Sequence, residues 1–217
     1  MKFFTVLFLV GFLLITISIP LSANQTNEIK LPSPVITGGM PLMEALAARN
    51  SSREFSEKVL TDQMISNLLW AAFGINRAET GKRTAPSSRN CQDIDVYLSN
   101  EEGIYLYDAV NNSLILKIKG DLRKFTGKQD FVEKAPVNLI YVSNLDRIKT
   151  DDLQAKLIAG ANDTGFIAQN VYLFCASFGL STVVRAWVDK PVLEKKMNLK
   201  ENQIITLCQT IGFPIKK

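Results

Sequence analysis

The stretch Thr164-Gly-Phe-Ile-Ala-Gln-Asn-Val-Tyr-Leu-Phe-Cys-Ala-Ser-Phe-Gly-Leu180 decides the fold. At helical spacing, Phe166, Ile167, Val171, Phe174 and Phe178 cover one broad arc. Ala168, Tyr172, Leu173 and Ala176 cover most of the rest. A helix that is apolar nearly all round must be buried. Asn162, Asp163, Gln169 and Asn170 interrupt it, and its apolar run is shorter than the roughly 20 residues a bilayer needs. Gly179 suits a helix end, because glycine takes the left-handed conformation there without strain. Leu153 to Gly179 is therefore expected to be a central core helix, or one packed between two subunits.

The 217 residues are 47% apolar, which suits one domain with its own core. The net charge of +4 is not clustered, so nucleic acid is not indicated as a partner. There is no histidine, which removes Ser-His-Asp and Cys-His hydrolase arrangements and most zinc sites. Cys91, Cys175 and Cys208 have no metal-like spacing, and the last two fall in apolar runs as small core residues. Chemistry is left to a cofactor, to carboxylates or to lysines.

Residues 1–23 have the pattern of an export signal: Lys2, an apolar run from Phe3 to Ile19, Pro20, then Leu21-Ser22-Ala23. Cleavage would leave the protein periplasmic or secreted; retention would leave it membrane-anchored by residues 3–19. Residues 24–40 read as an extended arm, and residues 41–217 as the folded domain. Pro41 opens a short helix with Leu42, Met43, Leu46 and Ala47 inward. Thr61-Asp62-Gln63 caps a second helix, with Leu68, Leu69, Ala72 and Phe73 as its apolar stripe. Asn76 to Asn90 reads as a loop. Strands are expected at 94–98, 103–107, 113–118, 136–142, 180–188 and 203–210, with a helix from Pro191 to near Leu199. The mid-chain hairpin favours an α+β class, with a mixed central sheet flanked by helices.

Two constellations carry possible chemistry. Arg49, Asn50, Ser51 and Arg53 lie between two helices, and two guanidinium groups with a hydroxyl make a phosphate seat. Read alone, the same residues also fit a solvated basic turn. Pro86, Ser87, Ser88 and Asn90 form a turn just ahead of a strand, able to ring a polar heterocycle or simply to turn the chain.

In register, the motifs are Arg49-x-Ser-x-Arg-x-Phe55, Pro86-Ser-Ser-x-Asn-x-Gln92, Gly165-x-x-x-Gln-Asn-x-Tyr-Leu-x-x-Ala-x-x-Gly-Leu180 and Ile211-Gly-x-Pro214. Together they resemble the nitroreductase family of FMN-dependent oxidoreductases, over about residues 41–214. The resemblance implies that Arg49 and Ser51, with Asn50 beside them, hold the FMN phosphate and ribityl chain. Arg53 would lie near the flavin N1 and O2 edge. Pro86, Ser87, Ser88 and Asn90 would reach the flavin from the other subunit of a homodimer. Arg185 would run beside the N5 side, and Gly165, Gln169 and Asn170 would belong to the interface helix. The family pattern usually adds a basic residue at the phosphate from a C-terminal extension; whether Lys216 or Lys217 takes that place is left open by the resemblance. A reduced nicotinamide or another donor would pass a hydride through flavin N5 to a small organic acceptor. An exported flavin- or ligand-binding protein without turnover is the alternative. A member that oxidises an azoline ring or breaks down flavin is a third reading.

Overall fold

A computed structural model describes residue 1 and residues 27–215. Apart from residue 1, the expected signal at 1–23 lies outside the described residues, as do the possible anchor at 3–19 and Lys216 and Lys217. In chain order the elements are β1 (Glu28–Lys30), α1 (Leu42–Ala48), α2 (Asp62–Phe73), β2 (Ile75–Arg77), β3 (Lys82–Arg83), β4 (Ile94–Ser99), β5 (Gly103–Asp108) and β6 (Ser113–Lys119). They continue with β7 (Val137–Asn144), α3 (Leu153–Ser177), β8 (Ser181–Arg185), α4 (Lys190–Lys196) and β9 (Gln203–Gly212).

The main sheet has the order β1-β6-β5-β4-β7-β9-β8. The expected α+β class is found. Within it every recorded pairing is antiparallel, where a mixed sheet was expected. Part of the expected arm is built into this sheet: Ile29 pairs with Leu114, and Leu31 is buried. A sheet edge offers unpaired backbone groups, and this short strand covers one.

Both faces of the sheet are covered. On one side α2 and α3 bury Leu68, Leu69, Ile167, Val171 and Cys175 against Leu98, Leu139 and Tyr141. On the other, Leu193 and Met197 from the α4 region meet Ile104, Ile140, Val142 and Ile205. The α2 signals hold: Thr61 Oγ1 accepts from Met64 N–H at 3.3 Å, and Gly74 ends the helix. Among the described residues, no helix is long and apolar enough to cross a membrane.

Helix α3 is the expected central helix. Asp152 caps its start by accepting from Gln154 N–H at 2.9 Å, and Gly179 turns the chain at φ 66° beyond its end. It is not buried all round. Ile167, Val171 and Cys175 are wholly buried, whereas Ile158, Phe166 and Phe178 are exposed. Ala168 faces the core rather than the outer surface, and its carbonyl accepts from Gln209 Nε2.

Three details differ from expectation. Helix α1 buries only Ala45; Leu42, Met43, Leu46 and Ala47 are exposed. It is a single brief helix, apolar on nearly every side, so one chain can cover only one edge of it. The 76–90 loop contains a small ribbon of β2 and β3, closed at Gly81 with φ 61°. Helix α4 stops at Lys196, because Asn198 takes the left-handed conformation at φ 51°.

Gly160 lets α3 approach β7. A Cβ there would meet Ser143 Oγ at 2.5 Å and Ser143 Cβ at 2.9 Å. Gly160→Ala should destabilise the fold by about 1–3 kcal/mol through overpacking, although alanine is the better helix former. A urea melt of the variant that matches the parent would remove this account.

Candidate functional site

The Arg49–Arg53 segment leaves the end of α1 and runs along β8. Ser52 N–H donates to Thr182 O at 3.0 Å, and Ser181 Oγ–H donates to Ser52 Oγ at 3.2 Å. These bonds fix the segment on the sheet edge and turn Ser51 toward α3. Ser51 Oγ lies 2.8 Å from Tyr172 Oη, which also accepts from Val184 N–H at 2.9 Å. With that lone pair used, the phenol can donate its proton to Ser51 Oγ. Ser51 O–H then remains to donate outward.

The Arg49 guanidinium lies 5.4 Å from the Tyr172 ring centroid. Arg53 is exposed, and Asn50 Nδ2 donates to Ala48 O at 3.0 Å. Among the described residues neither arginine is paired with a carboxylate. Two uncompensated guanidinium groups and a hydroxyl suit one phosphate monoester.

Pro86, Ser87, Ser88 and Asn90 sit elsewhere on α3. Ser88 N–H donates to both Asp163 carboxylate oxygens, at 2.9 and 3.1 Å. Ser87 Oγ accepts from Gln92 N–H at 2.9 Å. An open depression of about 520 Å³ lies beside them, lined in part by Ile158, Asn162 and Phe166. Asp163 and Tyr172, the helix residues under the two constellations, are nine positions apart. That is about 14 Å of helix. One chain therefore does not bring the two groups together.

Arg185 is in neither group. Its side chain is buried under β8, donating to Thr210 Oγ1 at 3.0 Å, Asn138 Oδ1 at 2.9 Å and Thr126 O at 2.5 Å. Burial pushes its pKa down from the usual value. Within the chain, the guanidinium expected beside a flavin is held inside the domain by neutral acceptors. Gly127 makes room for it: a Cβ there would fall on Arg185 Nη1.

Of the other helix residues expected at an interface, Gly165 and Gln169 are exposed, while Asn170 donates to Ala71 O at 3.1 Å and packs within the chain. Sequence reading passed over Tyr172, Asp93 and Asp163 as site residues. The available signal was a phenol and an acid on the inner side of an otherwise apolar helix.

The nitroreductase family profile matches residues 46–213. A nitroreductase relative from Methanocaldococcus jannaschii is 30% identical over 85% of this chain and 96% of its own length. The chain belongs to the nitroreductase family. An NADPH-flavin oxidoreductase of Vibrio harveyi is 24% identical, over 79% of this chain and 65% of its own length. A crystal structure of a nitroreductase relative from Ralstonia eutropha superposes with a TM-score of 0.84 at 43% identity, covering 88% of this chain and 91% of that one. The protein is thus a flavin-dependent oxidoreductase by family.

Arg185→Ala should lower stability by about 1–3 kcal/mol, since it strands buried acceptors. The loss should be the same with and without added flavin. Urea melts in both conditions check this; a loss confined to the flavin-bound form would make Arg185 a ligand contact.

Proposed function

We propose that this chain is an FMN-dependent oxidoreductase. It would take electrons from a reduced nicotinamide or another donor and pass them to a small electrophilic organic acceptor. The observation that carries this reading is the Arg49, Ser51 and Arg53 seat, with its outward hydroxyl and two unpaired guanidinium groups. It suits a single phosphate, and the sequence has no dinucleotide fingerprint.

Bound there, the flavin supplies the two-electron chemistry. The chain's residues bind and orient it. Arg49 holds the phosphate from its place over Tyr172, and Ser51 donates its hydroxyl proton. Arg53, matched by resemblance to the N1 and O2 edge, is a fixed positive charge where negative charge gathers on reduction. Pro86, Ser87, Ser88 and Asn90 contribute from the partner subunit of a homodimer.

Three features support the dimer. Leu42, Met43, Phe166 and Phe178 leave an apolar surface on α1 and α3. Gly165 has open space where a Cβ would sit. A mid-helix glycine costs about 1 kcal/mol, and close approach of a second helix gives it a purpose. Finally, a two-fold axis near the middle of α3 would set the Ser88 end of one copy against the Arg49 end of the other. The pattern of residues 2–23 supports export as the destination.

The test is the purified protein. It should be yellow, release FMN on heating, and bleach with NADH or NADPH under nitrogen. A flavin spectrum that never bleaches would favour a passive flavin carrier. Recovery of mainly FAD would overturn the phosphate seat. Arg49→Ala should weaken FMN binding roughly ten- to a hundredfold. Arg53→Ala should instead lower the reduction potential more than it weakens binding of oxidised FMN. Identical profiles for the two variants would sink this division of roles. Phe166→Glu should give a monomer by sedimentation, which Ala168 substitutions cannot report because Ala168 is in the core.

A further inference from the structure

Asp93 and Asp163 are buried at 0% and 2% exposure. An oxygen of each lies with Cys91 Sγ in a cluster whose atoms are all within 4.8 Å of one another. Asp93 accepts from Ser143 Oγ–H at 2.7 Å and from Cys91 S–H at 3.4 Å. Asp163 accepts from Ser88 N–H and, at 3.9 Å, from Cys91 S–H. These donors are neutral. Two ionised carboxylates within 4.8 Å of each other and away from water repel, which favours a proton on one of them.

The surrounding cations are engaged elsewhere. Arg147 bonds Gln92 O and Asp95, Arg89 bonds Lys149 O, and Arg83 bonds Gln92 Oε1 and Phe73 O. Strand β7 contributes neutral Ser143 to the cluster, and α3 contributes Gly160. The Cys91 thiol is itself pushed up to about 11 by burial and by Asp93, so it adds no charge at neutral pH.

The pair lies under a strained loop. Arg89, Asn90 and Gln92 have φ of 50°, 55° and 47°, a region that costs side-chain-bearing residues energy. Ser88 and Cys91 tie the loop to this pair, while Gln92 is held separately by Arg83, Arg147 and Gly81 O, and Arg89 by Lys149 O. Asp93 is fixed to β7 by Ser143, and Asp163 rides on a core helix. The Ser88 part of the loop, bonded to Asp163 alone of the two carboxylates, is therefore the part that can yield.

We propose that Asp93 and Asp163 share a single proton and that this proton holds the 86–92 loop on α3. Loss of the proton to solvent leaves two like charges within 4.8 Å of each other, and the loop moves off to admit water. Burial, then the Asp93 carboxyl, push Asp163 up to about 6. Its pKa is thus raised above the ordinary aspartate value of 3.8. The sign follows: the stabilisation is complete below about 4 and is lost as pH rises through about 6. Any consequence for flavin rests on reading Ser87, Ser88 and Asn90 as flavin contacts; the shared proton does not.

The experiment uses the full-length purified protein. Carboxyl carbon NMR from pH 4 to 8 should show one aspartate titrating near 6, and Asp163→Asn should abolish that signal. The asparagine amide can donate to Asp93 while its oxygen accepts from Ser88, so it mimics the protonated pair. The urea midpoint of the parent should fall between pH 4 and 6.5 relative to Asp163→Asn. Flavin release should be faster at pH 8 than at pH 5 in the parent and unchanged in the variant. If Asp163→Asn does not fold, Asp93→Asn and the parent titration decide. Two aspartates both titrating near 4 would overturn the shared proton. So would one equivalent of a divalent metal, found by elemental analysis and lost in Asp163→Asn. A titration near 6 with pH-independent flavin release would overturn the loop's part in flavin retention and leave the proton standing.

Discussion

Helix α3 can sit on the sheet in only one rotation. Ile167, Val171 and Cys175 are wholly buried, and Ala168 O accepts from Gln209, whose side chain also binds Tyr141 and Thr182. A turn of the helix by one residue would expose that apolar row and strand a buried amide. With the rotation fixed, Tyr172 must face the Arg49–Arg53 segment and Asp163 must face the 86–92 loop. The two candidate half-sites are therefore mounted on one rigid bar, at a separation set by helix rise rather than by loop conformation.

That rigidity is underwritten by polar atoms inside the domain. Arg185, Asn138, Thr126 and Thr210 form one connected set beneath β8. Tyr141, Gln209 and Thr182 form another beneath α3. Such networks are costly when incomplete and specific when complete. Thr182 links them to the candidate site, since its carbonyl holds Ser52 and so aims Ser51. The Arg49–Arg53 segment carries its charge on long arginine side chains, but its backbone is held to a strand in the sheet.

The legible parts of the sequence were those with a strong period. The span of α3, the α2 cap and stripe, and the β5–β6 hairpin all stand where the pattern put them, whereas Phe166 and Phe178 of the expected α3 arc face outward. Helix α1 was misread because a helix apolar all round has no preferred inner face, and the residues assigned inward are the exposed ones. Arg185 was expected beside a ligand because its charge stands near a suspected ligand segment; in this chain it is buried and held by neutral acceptors. Strand periodicity pointed to that burial: Arg185 shares a face with buried Val183 and Ser181. The Asp93–Asp163 contact joins residues 70 positions apart, and local pattern cannot report such a pairing.

A chain without histidine lacks the side chain that ordinarily titrates between pH 5 and 8. Ordinary carboxylates, with pKa of about 4, and lysines, with pKa above about 10, change charge little across that window. A buried pair of carboxylates does, because each raises the cost of ionising the other. In this protein that pair is not at the arginine end of α3, where a proton would compete with phosphate binding. It lies at the other end, under a loop with three left-handed non-glycine residues. The arginines provide charge that pH does not alter, and the carboxyl pair provides the one local charge that it does. On the protein's side, then, the arginine end contributes no pH dependence of its own near neutrality, while the fit of the 86–92 loop does.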